Sequence, residues 1–324
     1  MIAVPVPFPV EAPYQVKADL KRIEEDDFSP QWLVRDAQAK DYLSGKLAAL
    51  ANQTVWPWFV QESALESNVV SVVLERLSAV YSNLFVRIHD DAWQFVSLGL
   101  QCDRAGHVHI NRLLNTIEAR CAQWLILQDK VHRLWHCLAL SLQEDFALMH
   151  RTEQGFVAEA LHVCFPSGWA PSAKFTQDLG QIHDPVADGE RLRASTKPLS
   201  IAMVNKGPFV RYVWTLCSSH HLSEHPCLKA QRAALAPYQA GEPVFFRCER
   251  QVTVPFPEQA RSLFLIRVFT ANLNQMIQSK DRAAILIAAI ESMTQASKKY
   301  KAIEAFIPQA LQVCHAVLAK EDSL

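Results

Sequence analysis

The chain has 324 residues, half of them hydrophobic, and a formal net charge of −1 at pH 7. That length accommodates one or two domains with a full core, and the balanced charge, without a run of basic residues, argues against nucleic acid as a partner. The most apolar helical stretch, residues 283–290, is far shorter than the roughly 20 residues that span a bilayer, so we expect no membrane segment.

The N-terminal part is expected to be mainly helical. Residues 2–10 are apolar but rich in proline and lack a basic leader, which indicates an extended arm and not a signal peptide, and predicts a cytoplasmic location. The stretches 84–88 and 93–98 suit either strands or helix ends, so the pattern leaves them open. We assign residues 1–142 to an N-terminal helical extension. Helical periodicity covers residues 17–51, 61–83 and 109–142.

From residue 143 onward the pattern is typical of strands. Residues 146–149 and 156–165 are typical of a hairpin. After a helical middle, further β-rich runs cover residues 209–216, 244–248 and 263–269. We therefore predict an α+β core over residues 143–270 and C-terminal helices over residues 271–324. The pattern alone allows several α+β arrangements of this core.

The segment 162–186 combines an apolar strand, an aromatic turn and a short helix that ends in a histidine. Ser172 is expected to cap the helix, and Asp184, which precedes a proline, to end it. His183 then projects from the last turn, and Gly180 leaves room beside it for a flat ligand such as haem. These residues alone leave open a core histidine that bonds a backbone carbonyl.

Several blocks of residues occur in a defined order. In chain order they are Pro30-Gln31-Trp32-Leu33 with Asp36, Tyr42 and Lys46; Gln143-Glu144-Asp145; Cys164-Phe165-Pro166-Ser167-Gly168-Trp169; Lys174; Ile182-His183 with Pro185-Val186; and Glu249-Arg250-Gln251. Over residues 30–270 this order resembles the haem-dependent oxidative N-demethylase family, the haem-carrying alpha subunit of dimethylamine monooxygenase and its relatives. Two places depart from the family's pattern: Ala187 and Asp188 stand where a proline and an aromatic residue are usual, and Val213 stands for an asparagine.

The resemblance implies a PAS-like fold, in which a five-stranded antiparallel sheet and its haem-pocket helices enclose a ligand, with N- and C-terminal helical extensions. It also implies haem as the cofactor. Because the chain lacks a Cys-x-x-Cys-His sequence, we expect haem b, held without thioether links. The eight cysteines show no paired spacing and are expected to be buried thiols. No dinucleotide fingerprint is visible, so we expect a separate reductase to supply the electrons. The resemblance implies that this partner carries flavin and iron–sulfur groups and takes its electrons from NAD(P)H.

The resemblance also implies roles for individual residues. His183 is expected to be the axial ligand of the haem iron, and Lys174 and Trp169 to be further cofactor-binding residues. Arg211, within an apolar strand, is expected to stabilise the negative charge of reduced dioxygen, and Glu249 to hold a protonated amine.

Structural alternatives to these roles remain open. Arg211 could face solvent or pair with a haem propionate, and Glu249 could belong to a structural network with Arg250. Lys174 could pair with Asp178 on the helix surface, and Trp169 could simply fill the core. A further loop is rich in possible metal ligands, but its spacing matches no closed zinc site and indicates a polar loop. Its residues are His220, His221, His225 and Cys227.

The function predicted from these observations is a haem-dependent monooxygenase that acts on a small amine. The expected reaction is oxidative N-demethylation with dioxygen and electrons from the reductase partner. The alternatives are a haem PAS enzyme that oxidises a different amine at nitrogen, a haem-based gas sensor or binding protein, and a relative that binds no haem.

Overall fold

A computed structural model describes residues 5–320. The strands are β1 (Lys21–Arg22), β2 (Trp58–Val60), β3 (Phe85–His89), β4 (Ala92–Phe95), β5 (Leu100–Asp103), β6 (Val108–Ile110), β7 (Asp145–Thr152), β8 (Gly155–His162), β9 (Phe209–Cys217), β10 (Phe245–Phe256) and β11 (Arg261–Asn272). The helices are α1 (Ala39–Ala51), α2 (Glu62–Glu66), α3 (Val69–Val80), α4 (Thr116–Ile126), α5 (Lys130–Ser141), α6 (Leu179–His183), α7 (Glu190–Ala194), α8 (Thr196–Asn205), α9 (Pro226–Leu235), α10 (Leu273–Met276), α11 (Lys280–Ser292), α12 (Gln295–Tyr300) and α13 (Ile307–Leu318).

The strands form two antiparallel sheets, so the fold is α+β, as predicted. The larger sheet has seven strands in the order β1-β9-β10-β11-β7-β8-β2, and the smaller has four in the order β3-β4-β5-β6. The predicted five-stranded sheet is therefore corrected to seven strands. The additional strands β1 and β2 pair with the two edges, where Lys21 lies opposite Val210 and Phe59 opposite Leu161. Strands this short carry no alternation that a sequence pattern reveals.

The strands β7 to β11 lie where the sequence predicts strands, although β10 and β11 are longer than predicted. Each has twelve residues and is buried along most of its length. Buried charged residues interrupt the apolar pattern that would predict these strands at full length. Arg250 pairs with Asp26 and Arg267 pairs with Asp36, both at 3.0 Å. The sequence pattern reads such residues as solvent-exposed.

The N-terminal part is less helical than predicted. Helix α1 begins at Ala39, so the prediction of a helix over residues 17–38 is wrong. Arg250 supplies the reason, since it donates hydrogen bonds to the carbonyls of Ser29 (2.7 Å) and Gln31 (2.8 Å), which a helix would use internally. The two stretches that the pattern left open are strands β3 and β4 of the smaller sheet.

Both termini extend past the described residues. Residues 5–10 of the predicted arm have no regular secondary structure, and residues 2–4 lie outside the described part of the chain. The C-terminal helices α11 and α13 lie where helices were predicted, and the last four residues of that region also lie outside the described part. Seven of the eight cysteines are buried, as expected, and Cys227 is exposed.

Helices α6 and α8 pack on one face of the larger sheet. They contribute Leu179, Ile182 and Met203 to an apolar cluster that also contains Met149 and Leu161 from strands β7 and β8. The hydrophobic core on the opposite face packs against α1, α3, α4 and α5. The face under α6 therefore has its own, smaller apolar layer.

Two buried histidines meet between α5 and β8. His136 is 1% exposed and His162 is 0% exposed, and His136 Nδ1 lies 3.2 Å from His162 Nε2. Burial is the main cause that lowers the pKa of His136 to about 3 and that of His162 well below its ordinary value. Both side chains are therefore neutral in the folded protein at neutral pH.

We expect this pair to make folding sensitive to acid. Below about pH 6.5 the unfolded chain protonates both histidines and the folded chain protonates neither, so the free energy of unfolding falls as the pH falls, by about 1.4 kcal/mol per pH unit for each histidine. Urea unfolding between about pH 5 and pH 7 measures this slope. The double variant His136→Phe/His162→Phe should flatten it, and replacing exposed His109 by glutamine should not. An unchanged slope in the double variant contradicts the assignment.

Candidate functional site

His183 is the last residue of α6, the position that the sequence predicts. The prediction that Ser172 caps this helix is wrong, because Ser172 lies in a separate 3₁₀ turn and Thr176 has a left-handed φ of 64°. Asp178 is the cap, and its carboxylate accepts hydrogen bonds from the backbone N–H of Gly180 (2.6 Å) and of Gln181 (3.0 Å). The capped turn fixes the direction in which the histidine projects.

The imidazole of His183 is half-buried and held at one nitrogen. Nδ1 lies 2.7 Å from the backbone oxygen of Leu179, so Nδ1–H donates and Nε2 carries the free lone pair. Nε2 makes no hydrogen bond within residues 5–320. Burial lowers the pKa of His183, and the charges of Arg211 and Lys174 lower it further, against the effect of the Leu179 carbonyl. A neutral imidazole with its other nitrogen fixed by an acceptor is the form that binds a metal.

Residues near α6 in the fold supply apolar surface. Trp169 and Phe175 are half-buried and pack on the apolar cluster under α6. Gly180 leaves the turn before His183 without a side chain, and beyond its own helix backbone and chain neighbours only Asp178 lies within 4 Å of a Cβ built there.

Lys174 contacts the last turn of α6. Its Nζ donates to the backbone oxygen of Ile182 at 2.5 Å, and burial lowers its pKa. The structure thus brings Lys174 to the last turn of the histidine helix and does not pair it with Asp178.

Arg211 and Glu249 lie on one face of adjacent strands. Arg211 pairs with Gln251 and Val213 pairs with Glu249 in the register of β9 and β10. Residues directly opposite each other share a face, as do residues two apart, so these four side chains point the same way. Thr253 lies on this same face, two residues after Gln251, and it is opposite Phe264, which packs in the apolar cluster under α6. The face that carries Arg211 and Glu249 and helix α6 are therefore on the same side of the sheet.

The two charged groups have different surroundings. Arg211 is half-buried, its Nε has no acceptor, and its guanidinium makes no hydrogen bond or ion pair within residues 5–320. Glu249 is 8% exposed and accepts hydrogen bonds from the Ser167 hydroxyl and from Gln251 Nε2, the latter at 2.7 Å. Glu249 is therefore held in place, and Arg211 is held only by packing.

Arg250 does not pair with Glu249. It points to the opposite face of β10, where its Nε lies 3.0 Å from the carboxylate of Asp26. Buried Arg247 instead shares the face of Glu249 and donates to the Ser167 hydroxyl at 2.7 Å. The network around Glu249 consequently runs through Ser167 to Arg247.

The chain was compared with known proteins. A family model described as "haem-dependent oxidative N-demethylase, alpha subunit-like" matches residues 25–311. The chain belongs to this family. The match confirms the resemblance seen over residues 30–270 and extends it at both ends. A search of curated proteins finds no match to the chain.

Sequence reasoning missed Lys301, which lies against strand β9. Lys301 Nζ donates to the backbone oxygen of Trp214 at 2.6 Å and lies 5.2 Å from the centre of the Tyr14 ring. Burial lowers the pKa of Lys301 to about 8, with Glu249 opposing and Arg211 adding to the effect. The sequence predicts C-terminal helices around Lys301 and nothing specific at Tyr14, and no local signal links either residue to β9.

One departure from the family's pattern has a structural role. Asp188 follows α6, and its carboxylate accepts hydrogen bonds from the hydroxyls of Thr294 (2.5 Å) and Ser297 (2.7 Å). These hydrogen bonds lower the pKa of Asp188. They tie the loop behind His183 to the start of α12, the helix that leads directly into Lys301.

The histidine-rich loop has a structural explanation. The rings of His220 and His221 stack with centroids 5.1 Å apart, and His225 Nδ1 accepts a hydrogen bond from the backbone N–H of Cys227 at 3.3 Å, at the start of α9. Across residues 5–320, no group of three or more His, Cys, Asp or Glu side chains is arranged to hold a metal ion.

In the same residues, every helix is too short or too polar to cross a membrane.

A separate cleft of about 660 Å³ lies between α1 and α9. Tyr42, Phe165 and Phe269 form part of its wall, and His221 and Arg232 add polar groups. None of the predicted site residues lines this cleft.

The residues around His183 fit a haem of the kind that the family name indicates. The free Nε2 suits a bond to iron, and the missing side chain at Gly180 and the half-buried ring of Trp169 suit a flat apolar group. His183, Trp169 and Lys174 are the residues that would hold the group. Lys174 forms no ion pair within residues 5–320, so its charge remains available for a propionate.

Proposed function

We propose that the chain is the haem-carrying subunit of a monooxygenase that removes a methyl group from a small amine. The observation that carries the proposal is the position of His183, whose neutral imidazole has a free Nε2 and whose helix lies on the same side of the sheet as Arg211 and Glu249. Membership of the oxidative N-demethylase family supports the reaction class.

We also propose that β7 to β11 form a PAS-like core. Two strands, a group of helices and three further strands follow one another in the chain, and the five strands lie side by side in the order β9-β10-β11-β7-β8. In this proposal β1 and β2 are additions to the two edges of the core sheet.

The cofactor in this proposal is haem b with His183 Nε2 as the iron ligand. When bound, haem supplies the redox chemistry that activates dioxygen. The Leu179 carbonyl keeps the proton of the imidazole on Nδ1, so that Nε2 stays available for iron. Lys174 fixes the last turn of α6 through the Ile182 carbonyl, and Trp169 would help to exclude water from the bound haem.

Arg211 and Glu249 have separate roles, one towards dioxygen and one towards the amine. The guanidinium of Arg211 places a fixed positive charge where negative charge develops as dioxygen is reduced. Glu249 binds the protonated amine and orients its methyl group. Overall, one dioxygen, one NAD(P)H and one proton convert the N-methylated amine into the demethylated amine, formaldehyde, water and NAD(P)⁺. The electrons come through a flavin and iron–sulfur reductase partner, for which the alpha-subunit-like family name is the support.

The test measures formaldehyde release and NAD(P)H oxidation by the haem-loaded protein with a flavin and iron–sulfur reductase and dimethylamine. Glu249→Gln should lower kcat/KM by about 10- to 150-fold, because a charged hydrogen bond contributes about 1.5–3 kcal/mol. Glu258→Gln, in an exposed turn, is the matched control and should not change kcat/KM.

Other outcomes of this test identify the competing functions. If the product is a hydroxylamine and no formaldehyde forms, the reaction is oxidation at nitrogen and not demethylation. The apolar Val213 opposite Glu249 would accommodate such a substrate. If the protein binds dioxygen but no amine and no reductase leads to NAD(P)H oxidation, the protein is a gas-binding protein and not an enzyme of this class.

A further inference from the structure

Glu249 accepts a hydrogen bond at each of its two carboxylate oxygens. Oε1 accepts the hydroxyl proton of Ser167, and Oε2 lies 2.7 Å from Gln251 Nε2, which donates to it. An ionised carboxylate has about four acceptor positions, so these two bonds leave lone pairs on both oxygens for a ligand. The direction in which those lone pairs point depends on the two donors, neither of which has a role in the proposed function.

Arg247 determines which way the Ser167 hydroxyl points. Arg247 is 1% exposed, its Nε lies 2.7 Å from Ser167 Oγ, and its Nη2 donates to the backbone oxygen of Phe165 at 3.0 Å. A guanidinium can only donate hydrogen bonds, so Ser167 Oγ is the acceptor and its single proton is left for Glu249. Because a charged group lies at each end, the hydrogen bonds from Arg247 through Ser167 to Glu249 run in one direction.

The turn that carries Ser167 is held on both sides by the backbone of Glu224. The Glu224 N–H donates to the oxygen of Pro166 at 2.9 Å, and the Glu224 oxygen accepts from the N–H of Gly168 at 3.1 Å. Gly168 has a left-handed φ of 84°, which glycine adopts without strain. The backbone therefore places Ser167 before any ligand binds.

We propose that Ser167 is a positioning residue for Glu249. Its hydroxyl, oriented by Arg247, keeps the carboxylate in the orientation that presents its remaining lone pairs to the amine. The inference rests on the proposed function, because Glu249 is the group that binds the amine there. Ser167 acts through Glu249 and needs no contact with the amine itself.

The first test compares kcat/KM for dimethylamine among variants of the haem-loaded protein supplied with the reductase. Ser167→Ala should lower kcat/KM about tenfold, because it removes a hydrogen bond to a charged group. In the Glu249→Gln background the same substitution should change kcat/KM by less than about twofold, because the charge that Ser167 positions is already gone. Ser172→Ala, at an exposed serine in the 3₁₀ turn that follows, is the matched control and should leave kcat/KM unchanged.

The second test separates the hydroxyl from the packing of the turn. Threonine and valine have nearly the same shape, and only threonine carries a hydroxyl. Ser167→Thr should therefore keep most of the activity, and Ser167→Val should show the loss of about tenfold in kcat/KM. Urea unfolding of both variants checks that they are equally folded. A purely structural role would make the two variants lose activity alike.

The proposal is overturned if Ser167→Ala leaves kcat/KM unchanged, if its effect persists in the Glu249→Gln background, or if Ser167→Thr and Ser167→Val lose activity equally. The proposed function fails by itself if the wild-type protein releases no formaldehyde, or if Glu249→Gln has no effect. Crystal structures of the wild type and of Ser167→Ala then decide the positioning: a Glu249 carboxylate that has turned in the variant supports it, and an unchanged carboxylate overturns it.

Discussion

His183→Ala is expected to abolish stoichiometric haem binding and with it the Soret absorption band. The imidazole of His183 is the one metal-binding side chain of α6 that keeps a free nitrogen, Nε2. Its loss should reduce haem affinity by more than about 100-fold, or about 2.7 kcal/mol. The fold should persist, because His183 is half-buried at the end of a short helix.

The measurement is the absorption spectrum of protein purified with haem, in the ferric and the ferrous–carbonyl states. His220→Ala is the matched control, since His220 is exposed and lies in the histidine-rich loop. Free imidazole added to His183→Ala should restore part of the band by entering the vacated position. An unchanged spectrum in His183→Ala would transfer the axial role to another histidine, and a Soret band absent from the wild type as well would remove haem from the proposal.

Lys46→Met is expected to destabilise the fold by about 3–5 kcal/mol, because it leaves a buried carboxylate without its partner. Lys46 is 0% exposed, and its Nζ donates to the backbone oxygens of Ala139 (3.0 Å) and Glu144 (2.5 Å) and lies 3.5 Å from Asp145 Oδ1. Burial raises the pKa of Asp145, and Lys46 opposes that effect. Without the lysine, Asp145 must stay charged and unpaired or take up a proton.

Urea unfolding at neutral pH measures this change. The double variant Lys46→Met/Asp145→Asn should recover most of the lost stability, because asparagine is neutral and its side-chain oxygen can still accept the hydrogen bond from the Phe165 N–H, which lies 2.6 Å from Asp145 Oδ2. Lys40→Met, on the exposed side of the same helix, should change stability by no more than about 0.5 kcal/mol. A loss below about 1 kcal/mol in Lys46→Met would show that the pair contributes little.

Short sequence patterns predicted the parts of the site whose structure is set by residues adjacent in the chain. Asp184 before a proline ends α6 after His183, and the strands β7 and β8 follow from two apolar runs around a polar turn. The cap was misplaced because Phe175, Leu179 and Ile182 have helical spacing although Thr176, with its left-handed φ, interrupts the helix. Spacing alone does not reveal a single residue of this kind.

The rest of the site depends on contacts between distant segments. The sequence gives no reason why Lys301 should reach the carbonyl of Trp214, or why Tyr14 should lie beside both. The resemblance identified Glu144 as part of a block without a reason for it. The structure supplies one, because its buried carboxylate accepts the backbone N–H of Val34 at 2.8 Å and so attaches the N-terminal segment to the core.

The position of Lys301 at the outer edge of β9 should favour solubility. Strand β9 has nine residues, and β1 pairs with only Phe209 and Val210, so most of this edge has no partner strand. An open edge is a template for pairing with another chain, and a lysine on the edge is a common protection against it. By bonding the Trp214 carbonyl, Lys301 occupies one of the acceptors that a second molecule would need. Changes at this residue should therefore be screened for self-association.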